Sequence, residues 1–161
     1  MSRPLKRART SGQRVARPID KELIVVAQTA TTTVVATTLK TTTFPGTVVG
    51  LRWNFNVAVA QATADAVVSW LIVVVQDGEA ANTPSQSNGA DLYTPEQNVL
   101  AFGVSVVRDS DVGQGPGVIP IEGSTKTMRK LKQGDLLQFI SLCSAVNGAT
   151  VQGACQFFFK T

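Results

Sequence analysis

The sequence predicts an all-β domain, a two-sheet sandwich of about eight strands preceded by a flexible basic N-terminal arm. Three observations carry this expectation. The 161 residues include 22 Val against 11 Leu and 2 Met, where a helical domain favours Leu, Met and Glu. Apolar residues alternate with a period of two in several segments, a spacing that a helix would scatter around its axis. Charge is segregated: residues 1–19 carry six basic side chains and no acid, whereas residues 20–161 carry nine basic and eleven acidic ones. The expected division is an arm over 1–21 and one β domain over 22–161, long enough for a single core.

The arm, "MSRPLKRARTSGQRVARP", is rich in Arg, Ser, Gly, Gln and Pro and has too few apolar residues to offset the entropy of ordering, so it is expected to be flexible on its own. "ELIVVAQ" follows as a short β-branched strand, then "TATTTVVATTLKTTTF", part of a stretch with ten threonines between 29 and 47 that suits a strand with a buried or paired outer face. "TVVGLRWNFNVAVAQ" gives the clearest alternation. It places Val49, Leu51, Trp53, Phe55, Val57 and Val59 on one face and Gly50, Arg52, Asn54 and Asn56 on the other.

"AVVSWLIVVVQDG" is apolar on both faces and ends in Asp77-Gly78, so it reads as a central strand followed by a turn. Residues 79–95 form a long polar loop, a length associated with function or exposure. "NVLAFGVSVV" then alternates Leu100, Phe102, Val104 and Val106, and "DSDVGQGPG" is a second loop. "GVIPIEG" and "STKTMRKLKQGD" read as two short strands, and "LLQFISLCS" and "ATVQGACQFFFKT" complete the set. Asn147-Gly148 fits either a tight hairpin or a corner between sheets; in both cases Cys143 and Cys155 are expected to be free, buried thiols.

Composition narrows the chemistry. The chain has no histidine, which removes the usual general base, the Ser-His and Cys-His nucleophile pairs and most zinc sites. No enzyme, cofactor or metal site is expected. Two cysteines are too few for a disulfide framework and lack metal-ligand spacing. The basic N-terminal stretch lacks the apolar run of a secretory signal, and "AVVSWLIVVV" is half the length of a membrane-spanning helix; no membrane partner is expected. Charged residues make up only 16%, below the usual quarter, which points to a surface largely covered by assembly.

The candidate binding residues are basic. In the arm they are Arg3, Lys6, Arg7, Arg9, Arg14 and Arg17. Six cations with no anion argue against a merely solubilising tail and fit nucleic-acid binding, because phosphate neutralisation needs cations but no fixed geometry. Within them "KRAR" places Lys6, Arg7 and Arg9 in the pattern of a nuclear-import signal. A second cluster sets Lys126, Lys130 and Lys132 on one face with Met128, Arg129 pointing the other way; it reads either as a solvated strand end or as a phosphate-facing surface. Trp53, Trp70, Phe55 and Phe102 lie in apolar strand patterns and read as core, while Tyr93 sits in a polar loop where it could meet a neighbour or a nucleotide. Asp109 and Asp111 fit turn chemistry better than a calcium loop. "GQGPG" at 113–117 has no following helix and is a loop rather than a phosphate cradle.

Three segments resemble a known family. "LYTPEQNVLAFG" at 92–103, "GSTKTMRKLKQGD" at 123–135 and the terminal "VQGACQFFFKT" are similar to parts of the capsid proteins of circular, Rep-encoding single-stranded DNA viruses, circovirus-like. The resemblance covers residues 40–161 in order and character, and the arm in composition. It implies a single jelly roll of two four-stranded antiparallel sheets, with sixty copies in a T=1 icosahedral shell. The partners it implies are other copies of the chain, a single-stranded DNA genome held by the arm (RNA in a heterologous host) and a host nuclear import receptor. It also implies residence in the virion and, during assembly, in the host nucleus. Similar shells enclose small RNA satellite viruses. The competing class is a non-viral oligomeric β-sandwich that binds nucleic acid or carbohydrate, which calls for a small oligomer and a groove with exposed aromatics.

Overall fold

A computed structural model describes residues 18–59, 65–78, 98–107, 117–145 and 148–160. They form eight strands: β1 (Ile19–Ala30), β2 (Val35–Thr41), β3 (Gly46–Val59), β4 (Ala66–Val75), β5 (Val99–Val107), β6 (Gly117–Leu131), β7 (Leu136–Cys143) and β8 (Ala149–Lys160). One antiparallel sheet has the order β1-β8-β3-β6 and the other β2-β7-β4-β5. That order is the jelly roll, two Greek keys folded over one core.

The inner faces meet around an aromatic cluster. Trp70 lies edge-on to Trp53 and to Phe55, each with ring centroids 5.5 Å apart, and Phe55 is edge-on to Phe139 at 5.4 Å. Such edge-to-face pairs add roughly 0.5–1.5 kcal/mol each beyond area burial. As its composition suggests, β4 is central and apolar on both sides. Val68, Trp70, Ile72 and Val74 join the main core, while Leu71, Val73 and Val75 form a second cluster with Ile140. One flank of the sandwich is closed by polar contacts: Ser141 Oγ donates to Gln28 Oε1 (2.5 Å), Gln28 Nε2 donates to Thr37 Oγ1 (2.9 Å), and Lys40 pairs with Glu22.

Several expectations change in the fold. Residues 117–131 are one strand, not two. The threonine-rich stretch is not one strand: β1 runs to Ala30 and β2 starts at Val35. Between them the Thr31 hydroxyl donates to the Thr33 carbonyl (3.0 Å), a local bond that competes with the sheet ladder. On β3, Val48 rather than Val49 is in the core, because the register shifts between Val48 and Gly50. On β5 Leu100 is in the core as expected, but from Phe102 onward the alternation is reversed. Leu100, Ala101 and Val107 are buried, whereas Phe102, Val104 and Val106 are 50%, 54% and 48% exposed. The register shifts between Ile72 and Val73 opposite this strand, so Gly103 pairs with Trp70. The indole ring occupies the space that a side chain at 103 would need, and small residues on β5 face inward to accommodate it.

Of the two readings of the β7–β8 junction the corner between sheets holds and the hairpin does not, because β7 and β8 lie in different sheets. Cys143 and Cys155 are free and buried, as expected.

Candidate nucleic-acid interface

The basic residues of the sheet are organised by strand pairing. Outward-facing residues of β1, β8, β3 and β6 fall into cross-strand rows. The first is Ile19, Lys160, Thr47 and Lys130; the second is Lys21, Phe158, Gly50 and Lys126; the third is Leu23, Gln156, Arg52 and Ser124. With strands about 4.8 Å apart and same-face residues about 6.8 Å apart, these rows bring Lys21, Arg52, Lys126, Lys130 and Lys160 into a patch roughly 14 Å on a side. In the fourth row stands Glu122, which accepts from Asn54 Nδ2 (3.1 Å). It is the single acid on this face among the described residues.

The other carboxylates of this end are directed elsewhere. Asp20 and Glu22 project from the opposite side of β1, where Glu22 is paired with Lys40. No ion bridge joins any of the five outer-face cations to a carboxylate among the described residues, so this face presents a positive potential. Phe158 lies at the centre of the patch. The Arg52 guanidinium sits over its ring, 5.7 Å from the centroid, within the range of a cation–π contact. Ile19, Gly50, Arg52, Ser124, Lys126 and Phe158 line an open groove of about 600 Å³. Gly50 keeps its floor low: a Cβ there would stand 3.8 Å from the Phe158 ring and 3.1 Å from the Thr125 carbonyl oxygen.

Of the residues singled out in the sequence, Lys126 and Lys130 are exposed on this face with Met128. Arg129 faces the other way, as expected, and its guanidinium donates to Asn98 Oδ1 on the β5 side. Lys132 departs from the expectation: it lies in the turn after β6, beyond the sheet, where its backbone N–H donates to Asp135 Oδ2 (2.7 Å). Arg3, Lys6, Arg7, Arg9, Arg14 and Arg17 lie outside the described residues, as do Tyr93, Asp109, Asp111 and the glycine-rich stretch from 113 to 116. β1 begins at Ile19, so Lys21, placed in the arm by the sequence reading, belongs to the sheet.

Sequence reasoning missed Lys21, Lys160 and Phe158, and it placed Arg52 outward without a neighbour. Only the strand order joins them.

The described residues hold no cluster of three potential metal ligands. The two thiols are poor nucleophiles: burial pushes Cys155 up to about 12. Burial also raises Cys143, against a smaller opposing effect of the Ala145 backbone N–H.

No family profile and no curated protein sequence matches the chain. Among solved structures it is similar to dimeric latent PorU from Porphyromonas gingivalis, at 12% identity and a TM-score of 0.48 over 94% of this chain. It spans only 14% of that much longer protein. Eiger TNF from S. frugiperda aligns at 11% identity and a TM-score of 0.43, over 90% of this chain and 94% of that one. The infectious bursal disease virus Gx strain structure aligns at 12% identity and a TM-score of 0.24, over 89% of this chain and 42% of its own. What stands for this chain itself is a jelly-roll β-sandwich that gathers five cations on the outer face of one sheet.

Proposed function

We propose that this chain is a viral capsid subunit of the kind found in circular, Rep-encoding single-stranded DNA viruses. The body closes into an icosahedral shell with copies of itself, and the basic arm holds the genome. Arg3, Lys6, Arg7, Arg9, Arg14 and Arg17 bind its phosphates, and Lys6, Arg7 and Arg9 also carry the subunit into the nucleus for assembly.

The observation that carries the reading is the apolar row Phe102, Val104 and Val106, half-exposed on β5 at the edge of its sheet. Exposed apolar edge strands are an association hazard that monomers suppress with charge, proline or cover. No Lys, Arg, Asp, Glu or Pro occurs between Val99 and Val107. Leu23, Val25 and Met128 are further exposed apolar residues on the other sheet. A body with so little charge and this much exposed apolar surface fits a subunit whose surface becomes interface, where charged residues are depleted. The segregated polycation then supplies what a shell needs for its cargo.

Negative-stain microscopy and light scattering of the purified full chain test the reading. Uniform closed shells are the expected result. A stable monomer at high concentration would sink it, and a small discrete oligomer would favour the non-viral binding module.

A further inference from the structure

We propose that the groove around Phe158 is a base-stacking subsite for single-stranded nucleic acid, on the sheet face rather than in the arm. It rests on the reading of the chain as a nucleic-acid-packaging subunit and deepens it by naming residues in the body. A nucleobase stacks on the Arg52–Phe158 pair, while Lys21, Lys126, Lys130 and Lys160 hold the flanking phosphates.

The geometry supplies each part. Single strands are bound without sequence readout by a positive groove that follows the backbone, combined with aromatic or guanidinium surfaces on which bases stack. Here the aromatic ring occupies the second row, flanked in register by Lys21 on β1 and, across Gly50, by Lys126 on β6. Lys160 and Lys130 occupy the neighbouring row. Arg52 already covers Phe158 at 5.7 Å, so a planar cation is held over the ring and can present its free face to a base. Gly50 leaves the groove floor without a side chain between Phe158 and Lys126. The occupant is a single strand because a duplex keeps its bases stacked on each other and offers none to the ring. The covalent path of the chain adds to the argument: β1 starts at Ile19, in the row that holds Lys160 and Lys130, so the six arm cations immediately precede the basic face in sequence.

The test uses the full chain, freed of nucleic acid in high salt and titrated with a short single-stranded oligodeoxythymidylate carrying one 5-iodouracil. Irradiation is expected to cross-link the iodouracil to the peptide containing Phe158. Phe158→Leu, which keeps an apolar side chain on an outer face, should remove that adduct. It should also weaken binding roughly 5- to 150-fold, the range of one lost base stack, without changing the salt slope. Replacing Lys21, Lys126 and Lys160 by Gln should do the opposite, flattening the slope of log K against log salt by about 2, as expected for three lost single-strand phosphate contacts.

If Phe158→Leu binds like the parent and adducts map only to residues 1–17, the subsite is wrong while the packaging function stands. Equal affinity for duplex, or for heparin, which has no bases, would likewise overturn it. If the full chain binds no single strand at all, the packaging reading fails as well.

Discussion

Gly103→Ala tests the packing that sets the face of β5. Gly103 pairs with Trp70 across the sheet, and a Cβ at 103 would stand 2.6 Å from Cε2 and Cζ2 of the indole and 2.7 Å from Nε1. Carbon atoms in contact sit about 3.5–4.0 Å apart, so the ring would have to retreat by about 1 Å. It has nowhere to go. Trp70 is 2% exposed, with Phe55 and Trp53 at 5.5 Å and Phe139 at 6.3 Å on its other sides, and interiors packed to crystal density do not absorb such a shift. Gly103 is absent from the positive-φ glycines, so its backbone accepts alanine and the penalty is steric alone. Overpacking of this kind costs about 1–3 kcal/mol. With a urea dependence of about 1–3 kcal/mol per molar, the unfolding midpoint should fall by about 1 M. Trp53 and Trp70 are the chain's two tryptophans, so intrinsic fluorescence reports on this cluster directly. Val104→Ala, one residue along and outward, should change subunit stability by no more than about 0.5 kcal/mol. The reasoning is refuted if Gly103→Ala unfolds at the parent midpoint while Val104→Ala lowers it.

Replacing Lys6, Arg7, Arg9, Arg14 and Arg17 by Ala should leave shells intact but strip most of their nucleic acid, read from the absorbance ratio at 260 and 280 nm. Unchanged content would move cargo binding onto the sheet. Asp135→Ala should destabilise the subunit by about 1–3 kcal/mol, seen as a lower thermal midpoint. The buried carboxylate accepts from the Lys132 N–H (2.7 Å) and the Asp77 N–H (3.3 Å) and thereby joins two turns. The Cys155 thiol, raised from 9.0 to about 12 by burial, favours the folded state fully below pH 9. That contribution is lost as pH climbs from 9 toward 12, because the unfolded chain releases the proton first. Urea midpoints at pH 8 and about pH 10 should therefore fall less for Cys155→Ala than for the parent; equal losses would remove Cys155 from the account.

Much of this fold was legible in the residues, because a strand exposes its own pattern. The run Leu51, Trp53, Phe55, Val57 alternates with Arg52, Asn54 and Asn56. Both sides of "AVVSWLIVVV" are apolar, and these two segments place one half-buried and one central strand without reference to any neighbour. The split between a polycationic arm and a charge-poor body is likewise a property of sequence alone. The facing of β5 was not. Leu100, Phe102, Val104 and Val106 make an equally good apolar stripe, but beyond Leu100, which is in the core, the core side runs through Ala101, Gly103 and Val107. The volume there is filled from across the sheet by Trp70, and no local pattern encodes a partner's ring. The basic face was beyond reach for the same reason. Lys21, Arg52, Lys126 and Lys160 come from four strands spread over the whole described chain, and only the order β1-β8-β3-β6, with its register, sets their charges side by side around Phe158.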